Sequence, residues 1–136
     1  MYETFEHTAD LGLRVRAPDL ETLFIDAARG LTSMIVANLD QVRRVRQITL
    51  NVPGTRHDEL LFDWLTEILY AFESEHLLFN QFEVQLSESG LKANARGEPA
   101  DESRHQLEHE IKAITYHGLR VEQTPDGWLA EVIVDI

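Results

Sequence analysis

Residues 11–16 (LGLRVR) alternate apolar and polar side chains with a period of two, and they directly follow residues 5–10 (FEHTAD). This alternation predicts a half-buried β-strand with its leucines and valine on one face and Asp10, Gly12 and the arginines on the other. A second strand-like run, residues 128–136, ends in Asp135 and Ile136. A fold that joins the ends of these two runs would gather two carboxylates and the imidazole of His7 in one pocket.

The chain between these runs has the periodicity of two helices and several strands. Asp19 supplies an N-cap for an amphipathic helix over residues 20–37, and apolar spacing from Asp58 predicts a longer helix ending near His76. Strand alternation recurs at residues 48–52, 82–86, 91–96 and 113–122. We therefore expect an α+β fold, a two-layer sandwich of about six mostly antiparallel strands with two main helices, forming a single domain over residues 1–136.

Charge narrows the partners that the chain can have. The sequence contains 24 acidic and 12 basic residues, a net charge of −12. This field repels a phosphate backbone, so a role in RNA metabolism would be indirect, and a cation or a basic protein is the better partner. The absence of cysteine excludes thiolate zinc sites and cysteine nucleophiles. With neither a secretion signal nor an apolar run long enough to span a membrane, we expect a cytoplasmic protein without a membrane partner.

Two other charged segments have ordinary explanations. Residues 41–46 (QVRRVR) are interpreted as a solvated connection or an edge strand protected by its charges; a contact to an acidic partner or RNA is the alternative. His105 and His109 are four residues apart, but the order of the residues around them does not match a zinc protease. They are interpreted as part of a solvated polar face.

Asp10 and Asp135 are the first candidates for a functional site. The parity of the last strand places Asp135 on the same face as Leu129 and Ile133, where an unpaired carboxylate would be costly. A salt bridge, or solvation at the strand end, is one way to satisfy it. A divalent metal ion is another, because carboxylates together with an oxygen of Ile136 form an oxygen-rich set that suits Ca²⁺, Mg²⁺ or Mn²⁺ better than zinc.

Three further residues could support such a site. His7 could orient Asp10, carry a proton or ligate the metal, or it could simply donate to a backbone carbonyl at the edge of the core. Lys112 and His117 flank a short strand-like segment, and parity places Thr115, His117 and Val121 on one of its faces. A cation and an imidazole there could serve a phosphate or a partner. Thr8 is expected to cap or turn the local backbone.

Three motifs at matching positions resemble the archease family: residues 5–10 (FEHTAD), residues 110–117 (EIKAITYH) and the terminal Asp135-Ile136. The resemblance covers essentially the whole chain. It implies a small acidic α+β protein, not itself an enzyme, that assists the GTP-dependent RNA ligase of tRNA splicing by promoting guanylylation and repeated turnover. It also implies a divalent ion, calcium first, held by Asp10 and Asp135 with an oxygen of Ile136.

Two other functions stay open at this point. One is a chaperone-like modulator of another RNA-modifying enzyme, such as a tRNA methyltransferase, also suggested for archease relatives. It would not need Asp10 and Asp135 as metal ligands. The other is a stand-alone hydrolase using His7 and Asp10, which the absence of a clear nucleophile motif disfavours.

Overall fold

The computed structural model describes residues 1–7 and 10–136, so Thr8 and its expected capping role, together with Ala9, lie outside the described residues. The described elements are, in chain order, β1 (Tyr2–His7), β2 (Asp10–Ala17), α1 (Leu20–Ile35), β3 (Arg46–Pro53), α2 (His57–Glu75), β4 (Leu77–Ser87), β5 (Gly90–Pro99), β6 (Ala113–Ile114), β7 (Arg120–Thr124) and β8 (Gly127–Asp135). None of the described helices is long and apolar enough to cross a lipid bilayer.

The strands form two antiparallel sheets. In the five-stranded sheet the order is β1-β2-β8-β6, with β7 also paired to β8, and the three-stranded sheet has the order β3-β5-β4. The two runs at the ends of the sequence are therefore direct neighbours, as β2 and β8. The α+β class, the mostly antiparallel strands and the two main helices are confirmed.

The two helices pack against each other and share one core with both sheets. The Asp19 carboxylate accepts a hydrogen bond from the Thr22 backbone N–H at 2.8 Å and so caps α1, as the sequence predicts. The indole of Trp64 in α2 is fully buried and donates to the Phe24 carbonyl of α1 at 3.0 Å. This bond fixes one helix against the other. The helix α2 ends at His76, which adopts the left-handed conformation with φ 57°.

The strand count differs from the expected six for two local reasons. The edge strand β1 lies outside the expected set, because its sequence, YETFEH, mixes polar and apolar residues on both faces and none of its residues is fully buried. The run expected over residues 113–122 is two strands separated by a turn in which Gly118 has φ 64°. The turn changes the parity of the strand, so Val121 pairs with the core residue Ala130. The prediction that Val121 shares a face with His117 is therefore wrong.

A buried polar cluster ties the loop after β5 to the three-stranded sheet. His105 is only 3% exposed, so its assignment to a solvated face is wrong, whereas His109 is exposed. His105 Nδ1 accepts from the Asp101 N–H at 2.8 Å, and its Nε2 lies 3.0 Å from the carboxylate of Glu98. Local charge patterning could not reveal this, because the partners of His105 become buried only when the loop folds onto β5.

The basic segment 41–46 has the expected role of a connection leading into an edge strand, since β3 forms one edge of its sheet. It is also anchored. The Arg43 N–H donates to Glu98 at 2.6 Å, and the Arg44 side chain donates to the Asn80 amide oxygen at 3.0 Å. The Arg44 guanidinium is therefore bonded within the fold rather than left to solvent.

The Glu98 cluster predicts a loss of stability in acid. Burial alone would raise the pKa of Glu98, but hydrogen bonds from Arg43, His105 and Arg104 outweigh it and hold that pKa below its usual value. The ionised carboxylate therefore stabilises the native state above the unfolded-state pKa, and this contribution disappears as the pH falls through the lower native-state pKa.

We expect Glu98→Gln to lower the free energy of unfolding at pH 7 by about 1–3 kcal/mol and to flatten its decline between about pH 5 and pH 3. Urea unfolding across that pH range measures both effects. Glu83→Gln, at an exposed position 3.9 Å from Arg96, is the control and should change neither. An undiminished acid slope in Glu98→Gln would contradict the assignment.

Candidate functional site

The candidate residues form a row across three adjacent strands. In the β1–β2 pair His7 lies opposite Asp10, and in the β2–β8 pair Asp10 lies opposite Asp135. On the other side of β8, Asp135 is paired with Ala113 of β6. Directly opposed residues project to the same face of a sheet. His7, Asp10 and Asp135 therefore share the face that points away from the helical core.

The imidazole of His7 points an unsatisfied nitrogen into this row. Its Nδ1 is buried without a hydrogen-bond partner among the described residues, although the side chain as a whole is 38% exposed. The nearest carboxylate oxygen of Asp10 is 3.9 Å away, beyond hydrogen-bond range. The ring of His117 lies 5.3 Å from the ring of His7, centroid to centroid. The two histidines thus meet at the end of the row.

The segment around β6 is held by hydrogen bonds to β8. The Lys112 N–H donates to the Asp135 carbonyl at 2.7 Å, and both the N–H and the hydroxyl of Thr115 donate to the Ile133 carbonyl, at 3.1 and 2.7 Å. The hydroxyl of Thr115 also accepts from the His117 N–H at 3.2 Å. Thr115 therefore positions His117, a role that no sequence pattern indicates beyond the place of both residues on the same strand face.

Lys112 projects elsewhere. Together with Ile114 it lines a groove against α2, and Tyr116 stacks on Phe62 of that helix with ring centroids 3.9 Å apart. Lys112 is thus joined to the row through its backbone, while its side chain belongs to the groove on the other face. The structure brings together His7, Asp10, Asp135 and His117, and it places Lys112 apart from them.

One carboxylate on this face, that of Glu131, is paired with arginines, unlike the two aspartates. Glu131 lies four residues before Asp135 on the same strand face, and it is bonded by Arg14 at 2.8 Å and by Arg120 at 2.7 Å. Burial would raise the pKa of Glu131, but these hydrogen bonds from Arg120 and Arg14 outweigh it and lower that pKa.

The aspartates have no such cations. Among the described residues no arginine or lysine lies within salt-bridge distance of Asp10 or Asp135, and the one charged contact of Asp10 is with His7. Opposed like charges destabilise an antiparallel pair. The salt bridge considered as an alternative for Asp135 is therefore absent from the described part of the chain.

The donor set suits a divalent cation in its chemistry. Two carboxylates, the main-chain oxygens of the half-buried Ile136 and the unpartnered nitrogen of His7 form an oxygen-rich set of the kind that Ca²⁺ and Mg²⁺ prefer. Within residues 1–7 and 10–136, no three His, Asp or Glu side chains converge as a complete metal cage. A bound ion would therefore need main-chain oxygen or water in addition to the two aspartates.

A family model described as the archease protein family matches residues 2–136 of this sequence. The chain belongs to the archease family. It is similar to proteins named archease from Methanopyrus kandleri, at 41% identity over 99% of each chain, and from Pyrococcus abyssi, at 39% identity over 99% of this chain and 98% of the relative.

Two solved structures share the fold of this chain. The solution structure of a Methanobacterium thermoautotrophicum protein covers 99% of this chain and 98% of its own, with a TM-score of 0.87 and 29% identity. The crystal structure of an archease from Thermotoga maritima, described as a possible chaperone, shares the fold with a TM-score of 0.68 at 20% identity, covering 100% and 98% of the two chains. The resemblance deduced from the three motifs is confirmed.

The repulsion between Asp10 and Asp135 predicts an unusual stabilising substitution. In EDTA, Asp135→Asn should raise the free energy of unfolding by about 0.2–1 kcal/mol, because it removes one of two like charges on opposed residues. Glu131→Gln is the matched control on the same strand face and should be destabilising, since it weakens two arginine contacts. Urea unfolding at pH 7 measures both. A destabilised Asp135→Asn variant would show that Asp135 has a stabilising partner.

Proposed function

We propose that this chain is a non-catalytic, metal-binding accessory protein that promotes guanylylation and multiple turnover of the GTP-dependent RNA ligase in tRNA splicing and RNA repair. Membership of the archease family supports an accessory role. The observation that carries the metal-dependent part is the pairing of Asp10 with Asp135. No arginine of the described residues neutralises this pair, whereas Glu131 on the same face is bonded by two. Such a pair favours a cation supplied from solution.

Asp10 and Asp135 would hold the ion, with a main-chain oxygen of Ile136 as a further ligand, and calcium is the first candidate ahead of magnesium and manganese. When bound, a divalent ion supplies positive charge that can neutralise phosphate oxygens during nucleotidyl transfer. His7 presents beside Asp10 an Nδ1 that no other described residue bonds, where it can accept a hydrogen bond from the partner. The His117 N–H donates to the Thr115 hydroxyl, and this bond helps to hold His117 beside His7.

An accessory role also agrees with how the nearby hydroxyl is used. The Thr115 hydroxyl is the alcohol closest in sequence to His117, and it is engaged with the Ile133 carbonyl at 2.7 Å. An activated nucleophile would instead have its hydroxyl bonded to a base. Hydrolysis by this chain alone is therefore the weaker hypothesis. The net charge of −12 favours a transient, electrostatically guided encounter with a basic protein surface over direct binding of RNA.

A chaperone-like modulator of another RNA-modifying enzyme, such as a tRNA methyltransferase, is the second candidate. The Thermotoga maritima archease, whose fold this chain shares, is described as a possible chaperone. This function would depend on protein contacts rather than on Asp10 and Asp135. Substitution of the two aspartates therefore separates the candidates.

The decisive assay is multiple-turnover RNA joining by the cognate ligase with this protein at sub-stoichiometric concentration. We expect stimulation by the wild-type protein and its loss in Asp10→Asn and Asp135→Asn, because each variant removes a charged oxygen ligand. Asp126→Asn is the control, since Asp126 is exposed and directly precedes the opposite end of β8. A ligase that completes one turnover yet gains nothing from wild-type protein would refute the function. Stimulation that survives both aspartate substitutions would leave the accessory role but refute the metal site.

Metal binding has a readout that does not involve the ligase. Adding Ca²⁺ to EDTA-treated protein should raise the midpoint of thermal unfolding, because an ion that binds only the native state stabilises it by mass action. Asp10→Asn and Asp135→Asn should lose this shift, and Asp126→Asn should keep it. Repeating the titration with Mg²⁺ and Mn²⁺ ranks the three ions by how strongly they stabilise the native state. Equal shifts in wild type and in the aspartate variants would place any calcium binding elsewhere.

A further inference from the structure

A groove of about 230 Å³ runs between α2 and the segment that leads into β6. Its walls include Leu69 and Tyr70 of the helix and Ile114 of the strand. Tyr70 and Tyr116 are each 62% exposed, two of the large apolar side chains that the fold leaves uncovered. Exposed aromatic rings grouped beside a groove are typical of protein interaction sites.

The helix that forms one wall of this groove is strongly acidic, and one of its carboxylates, Glu73, lines the groove itself. The helix α2 carries six carboxylates and no lysine or arginine, namely Asp58, Glu59, Asp63, Glu67, Glu73 and Glu75. Among the described residues that line the groove, Lys112 is the one cation. The groove therefore presents aromatic rings within a field of negative charge.

Several of these charges disfavour the helix that carries them. Glu59, Asp63 and Glu67 follow one another at a spacing of four, which sets like charges side by side on one face. Glu73 and Glu75 lie in the last turn, where the helix macrodipole is unfavourable to anions, and that turn contains no basic residue. A cationic partner would relieve both kinds of repulsion.

The described part of the fold neutralises only the carboxylates at the start of this helix. Within the described residues, salt bridges reach Asp58 and Glu59 from Arg56, but none reaches Asp63, Glu67 or Glu73. Charge complementarity thus identifies the missing partner as basic.

We propose that the groove defined by Phe62, Leu69, Tyr70, Lys112 and Ile114, here called the α2 groove, docks an arginine-rich segment of a partner protein. A guanidinium group can stack on a tyrosine face while it bonds a carboxylate through two N–H groups, and a lysine ammonium cannot do both. The α2 groove adjoins β6, whose Ala113 is the register partner of Asp135. A segment docked there holds its protein next to the Asp10–Asp135 row.

A synthetic probe tests the docking chemistry without any ligase. We expect an acetylated hexapeptide of alternating arginine and leucine, titrated into the ¹⁵N-labelled protein, to shift the NMR signals of Thr66, Tyr70, Glu73 and Tyr116. The lysine–leucine peptide should bind more weakly and the glutamate–leucine peptide not at all. Equal binding of the arginine and lysine peptides, or shifts spread evenly over every acidic surface, would overturn the proposal.

Matched variants with equal changes in net charge sharpen this test. The groove variant combines Asp63→Asn, Glu67→Gln and Glu73→Gln, and the control combines Glu88→Gln, Glu102→Gln and Asp126→Asn at exposed positions elsewhere. The groove variant should bind the arginine peptide about tenfold more weakly than the wild type. The control should lose less than about twofold in affinity, since distant surface charges are screened. Tyr70→Ala should also weaken binding of the arginine peptide, although this substitution leaves the net charge unchanged. Equal losses in the two triple variants would reduce the effect to overall charge and overturn the proposal.

The ligase serves as the second probe, and this arm rests on the proposed function. If the α2 groove docks the ligase, the groove variant should raise the dissociation constant for the complex yet keep full stimulation at saturating concentration. Asp135→Asn should leave the dissociation constant unchanged but abolish stimulation even at saturating concentration. Wild-type stimulation with unimpaired binding by the groove variant would refute the ligase as the docked partner while the proposed function stands. A failure to stimulate at all would refute the proposed function and leave the peptide result to decide the docking surface.

Discussion

The antiparallel pairing of β2 with β8 is the constraint on which the rest of this structure depends. It joins two strands from opposite ends of the sequence and sets the register in which Leu13 faces Val132 and Asp10 faces Asp135. Leu13 and Val132 are fully buried, so the apolar face of each strand specifies the register strongly. A slip of one residue in either strand would turn the apolar row of that strand toward solvent and its aspartate toward the core. The burial that stabilises the sheet therefore also opposes the two aspartates.

On the outer face of the five-stranded sheet, some of the described carboxylates are paired with arginines and others are not. Glu131 lies between Arg14 and Arg120 and stabilises the sheet through them. The Gly12 position lets the ring of Phe5 lie across the strand, where a Cβ would come within 2.2 Å of the ring, and the Arg14 guanidinium sits 4.8 Å from the ring centroid. Towards the strand ends this pattern of compensation stops. Asp10 and Asp135 oppose each other beside an imidazole nitrogen that has no hydrogen-bond partner within residues 1–7 and 10–136, which is a local cost in stability of the kind found at functional sites.

The short strand β6 connects two surfaces that lie on different faces of the sheet. Ala113 pairs with Asp135, while the side chains of Lys112 and Ile114 line the α2 groove. Tyr116 stacks on Phe62 of α2, and the next residue, His117, approaches His7. Because side chains alternate between the two faces along a strand, the motif at residues 110–117 contributes both to the candidate ion site and to the candidate docking surface. A partner that bound the groove would be held close to the two aspartates, which is the arrangement an accessory protein needs to act on another enzyme.

The sequence by itself determined the class of the fold, both main helices, the cap at Asp19 and the faces of β2 and β8, because these follow from local periodicity and short-range hydrogen bonding. Its motifs also identified the family. The tertiary structure alone decided that Asp10 meets Asp135, because strand order depends on long-range pairing that local pattern does not encode. It also decided that His105 is buried against Glu98 and that a turn at Gly118 divides the strand predicted over residues 113–122 into β6 and β7. Asp10 and Asp135 come from opposite ends of the sequence, so only packing brings them together, and the environment of His105 likewise depends on how the loop after β5 folds back onto that strand.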